Sequence, residues 1–128
     1  MTVYMKAIDV KQLDDKDEEI ADALISLGMN RYVARTLAYL QNVDEATAVE
    51  LEKAAGLHQP EVSIAMKELK ERGWINEREE KKPGKGRPYK IYSLKIGLKG
   101  IVSHLEKQQK KGIEETQLKI ELLKELRK

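Results

Sequence analysis

The stretch "TAVELEKAAGLHQPEVSIAMKELKERG", residues 47–73, decides the fold. Thr47 and Glu50 stand at the spacing of a capping box, which predicts a short helix over 48–55. Gly56 then lets the chain leave that helix through a left-handed residue. Pro60 falls in the first turn of a second helix, where a missing N–H is tolerated. Val62, Met66 and Leu69 recur on one face, and Gly73 ends the run. Two short helices joined by a tight glycine turn make a helix-turn-helix.

Upstream, residues 1–14 mix short apolar and polar residues and suggest an extended arm. The acidic run Asp14–Glu19 suits a helix start, since carboxylates there meet the positive end of the helix dipole. Ile20, Leu24 and Leu27 follow as its apolar stripe, and Gly28 stops it. Asn30 can cap another helix, with Val33, Leu37 and Leu40 buried. Downstream, Trp74–Lys82 and Tyr89–Leu94 suggest strands around a tip, Pro83–Pro88, that holds two glycines. From Ile96 to Arg127 the pattern is helical again, about 48 Å of helix at 1.5 Å per residue. The expected fold is mainly α with a small β-hairpin: an arm (1–14), a winged helix-turn-helix (15–95) and a long C-terminal helix (96–128).

The formal charge of the 128-residue chain is only +2, so its distribution matters more than its total. Residues 1–30 carry three cations against seven acids, residues 31–95 thirteen against ten, and residues 96–128 eight against five. The densest basic stretch is "KKPGKGRPYK", 81–90, with five cations and no acid. Absence of cysteine excludes disulfides, thiolate metal sites and a cysteine nucleophile. Apolar runs fall far short of the ~18 residues of a membrane span, so a soluble, cytoplasmic protein is expected. His58 and His104 are the only histidines, and neither has acids at metal or triad spacing. "GKGRP" lacks the spacing of a nucleotide-binding phosphate loop. No enzyme chemistry, metal or cofactor is indicated.

The segments "LGMNRYVARTLAYLQ", "EATAVELEKAAGLHQPEVSIAMKELKERGWI" and "GRPYKIYSL" resemble the DNA-binding domain of archaeal TrmB-type regulators, within the broader MarR/ArsR winged-helix group. The resemblance covers about residues 20–95 and implies a dimeric transcriptional regulator. The sugar-binding domain that follows in full-length TrmB proteins has no counterpart in the remaining thirty-odd residues, so no effector is implied.

The residues support double-stranded DNA as partner on their own terms. With Val62, Met66 and Leu69 inward, the second helix of the motif presents Gln59, Pro60, Ser63 and Lys67, with Ile64 nearby. Gln can bond adenine, Ser either base or phosphate, Lys guanine or phosphate, and Ile can touch a thymine methyl. The start of that helix and Thr47 at the start of its predecessor are expected to meet phosphates. Glu61 and Glu68 share the helix and weigh against dense base readout. In the tip, Gly86 and its neighbours let Lys85 and Arg87 project, with Lys82 at the base, toward a narrow, negative minor groove. Trp74, Tyr39, Tyr89, Tyr92 and Met66 are assigned to packing, because the chain has no Phe.

In the terminal helix Leu98, Val102 and Leu105 stand at coiled-coil spacing. So do Thr116, Leu123 and Leu126, with Ile113 and Ile120 beside them. The expectation is a homodimer through this helix; the alternative is a bend at Gly112 and packing on the chain's own winged domain. Two other functions fit the same fold: a protein-interaction module of the transcription machinery, and a non-specific architectural DNA binder.

Overall fold

The computed structural model describes residues 12–81 and 88–127. In chain order the elements are α1 (Asp15–Ser26), α2 (Arg31–Leu40), β1 (Ala46–Thr47), α3 (Ala48–Ala55), α4 (Gln59–Arg72), β2 (Ile75–Glu80), β3 (Tyr89–Leu94) and α5 (Leu98–Arg127). They fall into two compact units, Met1–Lys95 and Ile96–Lys128.

Three helices of the first unit end alike. Gly28, Gly56 and Gly73 adopt φ of 98°, 66° and 73° after α1, α3 and α4. The residue after each glycine sends its N–H five residues back: Met29 to Leu24 (3.1 Å), Leu57 to Glu52 (3.0 Å) and Trp74 to Leu69 (3.1 Å). Those three side chains are buried. Each is a Schellman closure, in which the left-handed residue turns the chain and the next side chain staples it to the core.

The starts are equally specific. Asp14 Oδ1 accepts from Asp17 N (2.9 Å) and Asp17 Oδ2 accepts from Asp14 N (3.1 Å), a reciprocal capping box. Asn30 Oδ1 caps α2 through Tyr32 N at 2.7 Å. Thr47 Oγ1 accepts from Glu50 N at 3.2 Å, the Thr47 half of the expected box. α2 is the centre of the unit: Val33, Ala34, Leu37 and Ala38 have no exposure at all.

The stripe expected on α1 is corrected. Leu27 is 49% exposed and Ile20 half-buried, while the buried face runs through Asp17, Ala21 and Leu24. An acid lies inside because Asp17 Oδ1 accepts from Asn42 Nδ2 (2.7 Å) and Gln41 Nε2 (3.3 Å), joining the start of α1 to the end of α2. Of the expected arm, residues 1–11 lie outside the described residues; Leu13 N donates to Ala54 O at 3.3 Å.

The sheet has three antiparallel strands in the order β1-β3-β2. The hairpin pairs Ile75 with Leu94 and Glu80 with Tyr89, and Lys95 N closes its base on Trp74 O at 2.7 Å. The first strand is thus shorter than Trp74–Lys82, because Trp74 serves the end of α4. Strand β1 was not foreseen. It pairs Ala46 with Tyr92 and Thr47 with Ile91, and so fastens the start of the helix-turn-helix to the hairpin. Tyr39, Tyr92, Met66 and Trp74 are buried as expected, whereas Tyr89 is only half-buried. Burial raises the pKa of Tyr92 and the negative charge of Glu77 adds to it.

In the second unit α5 is one continuous helix of 30 residues through Gly112, so the helix does not break there. Thr116 Oγ1 donates to Gly112 O at 2.9 Å.

Candidate nucleic-acid interface

α4 is held by its inner face, on which Val62, Ala65, Met66 and Leu69 are buried. Its outer face carries Gln59, Pro60, Ser63, Ile64 and Lys67, all exposed. These five side chains are brought together on one surface. Ile64 is 51% exposed.

Two of the three acids of α4, Glu61 and Glu68, are occupied locally. Glu61 Oε1 accepts from the His58 backbone N–H at 2.9 Å. That bond first, and then one from the Tyr32 side chain, holds its carboxyl below the usual pKa range, with His58 and Arg31 adding positive charge. Glu68 lies 3.3 Å from Arg72 Nε, and the Arg72 guanidinium sits 4.9 Å over the Trp74 ring. The charges of Glu61 and Glu68 are therefore countered by near neighbours before any ligand arrives, while Glu71 stands exposed near the end of the helix.

The same bond changes the expected use of the helix start. With the His58 N–H taken by Glu61 and no N–H on Pro60, the backbone of the first turn has little to offer a phosphate. α3 begins more openly. Thr47 is half-buried at its N-cap, and Val49, the second residue of the helix, is 54% exposed. Val49 was missed because it belongs to no periodic stripe.

Among the described residues three cations around the hairpin, Lys70, Arg78 and Lys90, are paired. Glu77 draws Lys70 Nζ to 3.3 Å and Lys90 Nζ to 3.8 Å. Arg78 Nη2 reaches Glu45 Oε1 at 2.9 Å and its other arm meets Glu80. Bonds from Glu80 first and then Glu45 raise the pKa of Arg78. The wing residues Lys82, Lys85, Gly86 and Arg87 lie outside the described residues. Among the described residues no group of three or more His, Cys, Asp or Glu could hold a metal ion. No helix among them is long and apolar enough to cross a membrane.

On α5 the candidate seam is only partly as expected. At about 100° per residue, Leu98, Val102, Leu105, Ile113, Ile120 and Leu123 share an arc of about 80°. Leu98 and Leu105 are half-buried and the other four are exposed. Leu126 falls about 60° outside that arc, and 71% of it is exposed. Leu118 and Leu122, 65% and 58% exposed, lie farther round and were not singled out from sequence.

Residues 27–87 match the profile of the MarR family, a little under half of the chain. The fold is a winged helix-turn-helix. A protein from Methanosarcina mazei Go1, described as a possible transcriptional regulator, is similar over 81% of this chain and 85% of its own, with TM-score 0.62 at 15% identity. TrmBL2, an archaeal chromatin protein whose structure shows a novel mode of DNA binding, is similar over 87% of this chain, with TM-score 0.61 at 19% identity. This chain spans 40% of the length of TrmBL2. A MarR-family transcriptional regulator from Silicibacter pomeroyi gives TM-score 0.50 at 20% identity, over 78% of this chain and 65% of its own. No curated protein matches the chain.

Proposed function

We propose that this chain is a sequence-specific, double-stranded DNA-binding transcriptional regulator of TrmB type that acts as a homodimer. α4 enters the major groove, and Gln59, Ser63, Ile64 and Lys67 face the base edges and phosphates. The basic tip, with Lys82, Lys85, Gly86 and Arg87, lies along the adjacent minor groove, and Thr47 approaches a phosphate. The exposed arc of α5 joins two copies, so that two recognition helices meet successive half-sites. No cofactor is required, and no effector is assigned.

The observation that carries this reading is the outer face of α4. It combines amide, hydroxyl, ammonium and a bare aliphatic side chain on one surface, and two of the helix's three acids, Glu61 and Glu68, are engaged by neighbours. β1 supports it by coupling the start of the helix-turn-helix to the strand that leads from the wing. A regulator built this way docks mainly through side chains, since the first turn of α4 is nearly spent.

Fluorescence anisotropy with duplex DNA at several salt concentrations tests the reading. Each neutralised phosphate contributes about 0.9 to the log–log slope. Tight binding with a steep slope, and preference for particular genomic fragments, is the expected result. Equal binding to all sequences would make the protein architectural. Absence of salt-dependent binding would transfer the fold to protein interaction.

A further inference from the structure

Resting on the DNA-binding reading above, we propose that α4 reads the C5-methyl groups of thymines, so that its half-site is centred on A·T pairs. Pro60 and Ile64 stand four residues apart and are therefore neighbours on the helix surface. Both are exposed, Ile64 by 51%. At about 100° per residue they lie within about 40° of each other, on the side opposite buried Val62, Ala65, Met66 and Leu69. Together they form an apolar ridge at the start of the helix, and Pro60 has no N–H to offer a base or a phosphate.

An apolar ridge in the major groove strips water from polar base edges and gives them no hydrogen bond in return. Among the four bases, the C5-methyl of thymine is the apolar group that the groove presents. The spacing of Pro60 and Ile64 spans about 6 Å of helix, which fits methyls at most two base pairs apart at about 3.4 Å per step. The neighbouring side chains agree. Gln59 can bond adenine, and Ser63 serves any base. Guanine is read chiefly by Arg and Lys. Of the cations on α4, Lys70 Nζ lies 3.3 Å from Glu77 and Arg72 Nε 3.3 Å from Glu68, which leaves Lys67 for guanine or phosphate. Exposed Glu71 lies about 10 Å along the axis beyond Ile64. That is past the N-terminal residues by which a recognition helix meets base edges.

Enzymatic copying can remove the methyl and keep every hydrogen-bonding group. Genomic fragments bound by the full-length chain are amplified with dTTP or with dUTP, and a third copy carries 5-methylcytosine in place of cytosine. Anisotropy is measured with wild type and with Ile64→Ala, a change at an exposed position that leaves the buried face of α4 intact. Wild type is expected to bind the uracil copy about fourfold more weakly for each methyl lost from the ridge, the worth of one buried carbon group. Ile64→Ala should lose that preference in whole or in part, and cytosine methylation should not tighten binding. Equal affinity of the wild type for the thymine and uracil copies overturns the inference while leaving DNA binding in place. So does a thymine preference that Ile64→Ala keeps in full. Tighter binding of the 5-methylcytosine copy without a response to uracil overturns the A·T half-site. If no fragment is bound in a salt-dependent manner, the DNA-binding reading and this inference fall together.

Discussion

Arg35 grips Glu18 with both arms of its guanidinium, Nη1 at 2.6 Å from Oε2 and Nη2 at 2.9 Å from Oε1. Its Nε donates to Ala55 O at 2.6 Å, so a single side chain ties α1, α2 and the end of α3 together. The carbonyl of Ala55 belongs to the last turn of a helix, where a cation is favoured by the dipole as well. This clamp holds the end of α3 in place, where Gly56 turns the chain toward α4.

Replacing Arg35 by Ala should cost about 2–3 kcal/mol, because it removes charge-assisted bonds to two elements at once. Glu18→Gln should cost less, about 1 kcal/mol, since the Glu18 side chain is 40% exposed and water screens the pair. Bonding to Arg35 holds the Glu18 carboxyl below its usual pKa. A depressed folded-state pKa contributes stability that is complete above the ordinary glutamate value of about 4.3 and is lost as pH falls through the folded value. Urea melts of wild type and Glu18→Gln should therefore differ at neutral pH and converge in acid. A gap that widens on acidification would contradict the assignment.

A second substitution should act in the opposite sense. Thr36 has no exposure, and its hydroxyl finds no partner among the described residues. Thr36→Val keeps the shape and removes an unpaired polar atom, so the variant should be neutral or more stable by up to about 1 kcal/mol. Thermal melts decide this. A loss beyond that size would mean the hydroxyl is bonded in solution.

The helices were legible in the sequence because their punctuation is local. Gly28, Gly56 and Gly73 each occupy a conformation that other residues resist, and Asp14, Asn30 and Thr47 each bond a nearby N–H. Strand β1 was hidden because two residues, Ala46 and Thr47, are too short to show a period of two. Asp17 was hidden for another reason: its burial depends on Gln41 and Asn42, more than twenty positions away. On α4 the exposed residues were readable from the apolar stripe opposite them. The bond of Glu61 to the His58 N–H is local and was overlooked, whereas its contact with Tyr32 comes only through the tertiary fold.

For α4, loss of base contacts should be position-specific. Gln59→Ala or Ser63→Ala should change discrimination at one base pair by about 1–3 kcal/mol, measured by competition among operator variants. Lys67→Ala should instead weaken all sequences about equally. Uniform small losses for all three would indicate docking without readout.

Replacing Lys85 and Arg87 together by Ala should lower the salt slope by up to ~2, at about 0.9 per phosphate contact. Circular dichroism should remain unchanged, because the hairpin register from Ile75↔Leu94 to Glu80↔Tyr89 does not involve these residues. Unchanged affinity and slope would remove the wing from the interface.

Termination after Lys111 isolates the contribution of distal α5. It removes Ile113, Ile120 and Leu123, which are 57%, 47% and 66% exposed, while retaining Ile101, the one buried residue among those described in the helix. Stability of the winged unit should change little, since the exposed side chains lost bury nothing within one chain. Assembly should change greatly. The shortened chain is expected to run as a monomer in light scattering and to lose about tenfold to a thousandfold in affinity for a two-half-site operator. That loss follows because the second half-site is no longer presented at a local concentration of order mM. Binding to an isolated half-site should be unaffected, which separates lost linkage from a damaged recognition helix. A truncated chain that remains dimeric would place the self-association surface outside the distal half of α5.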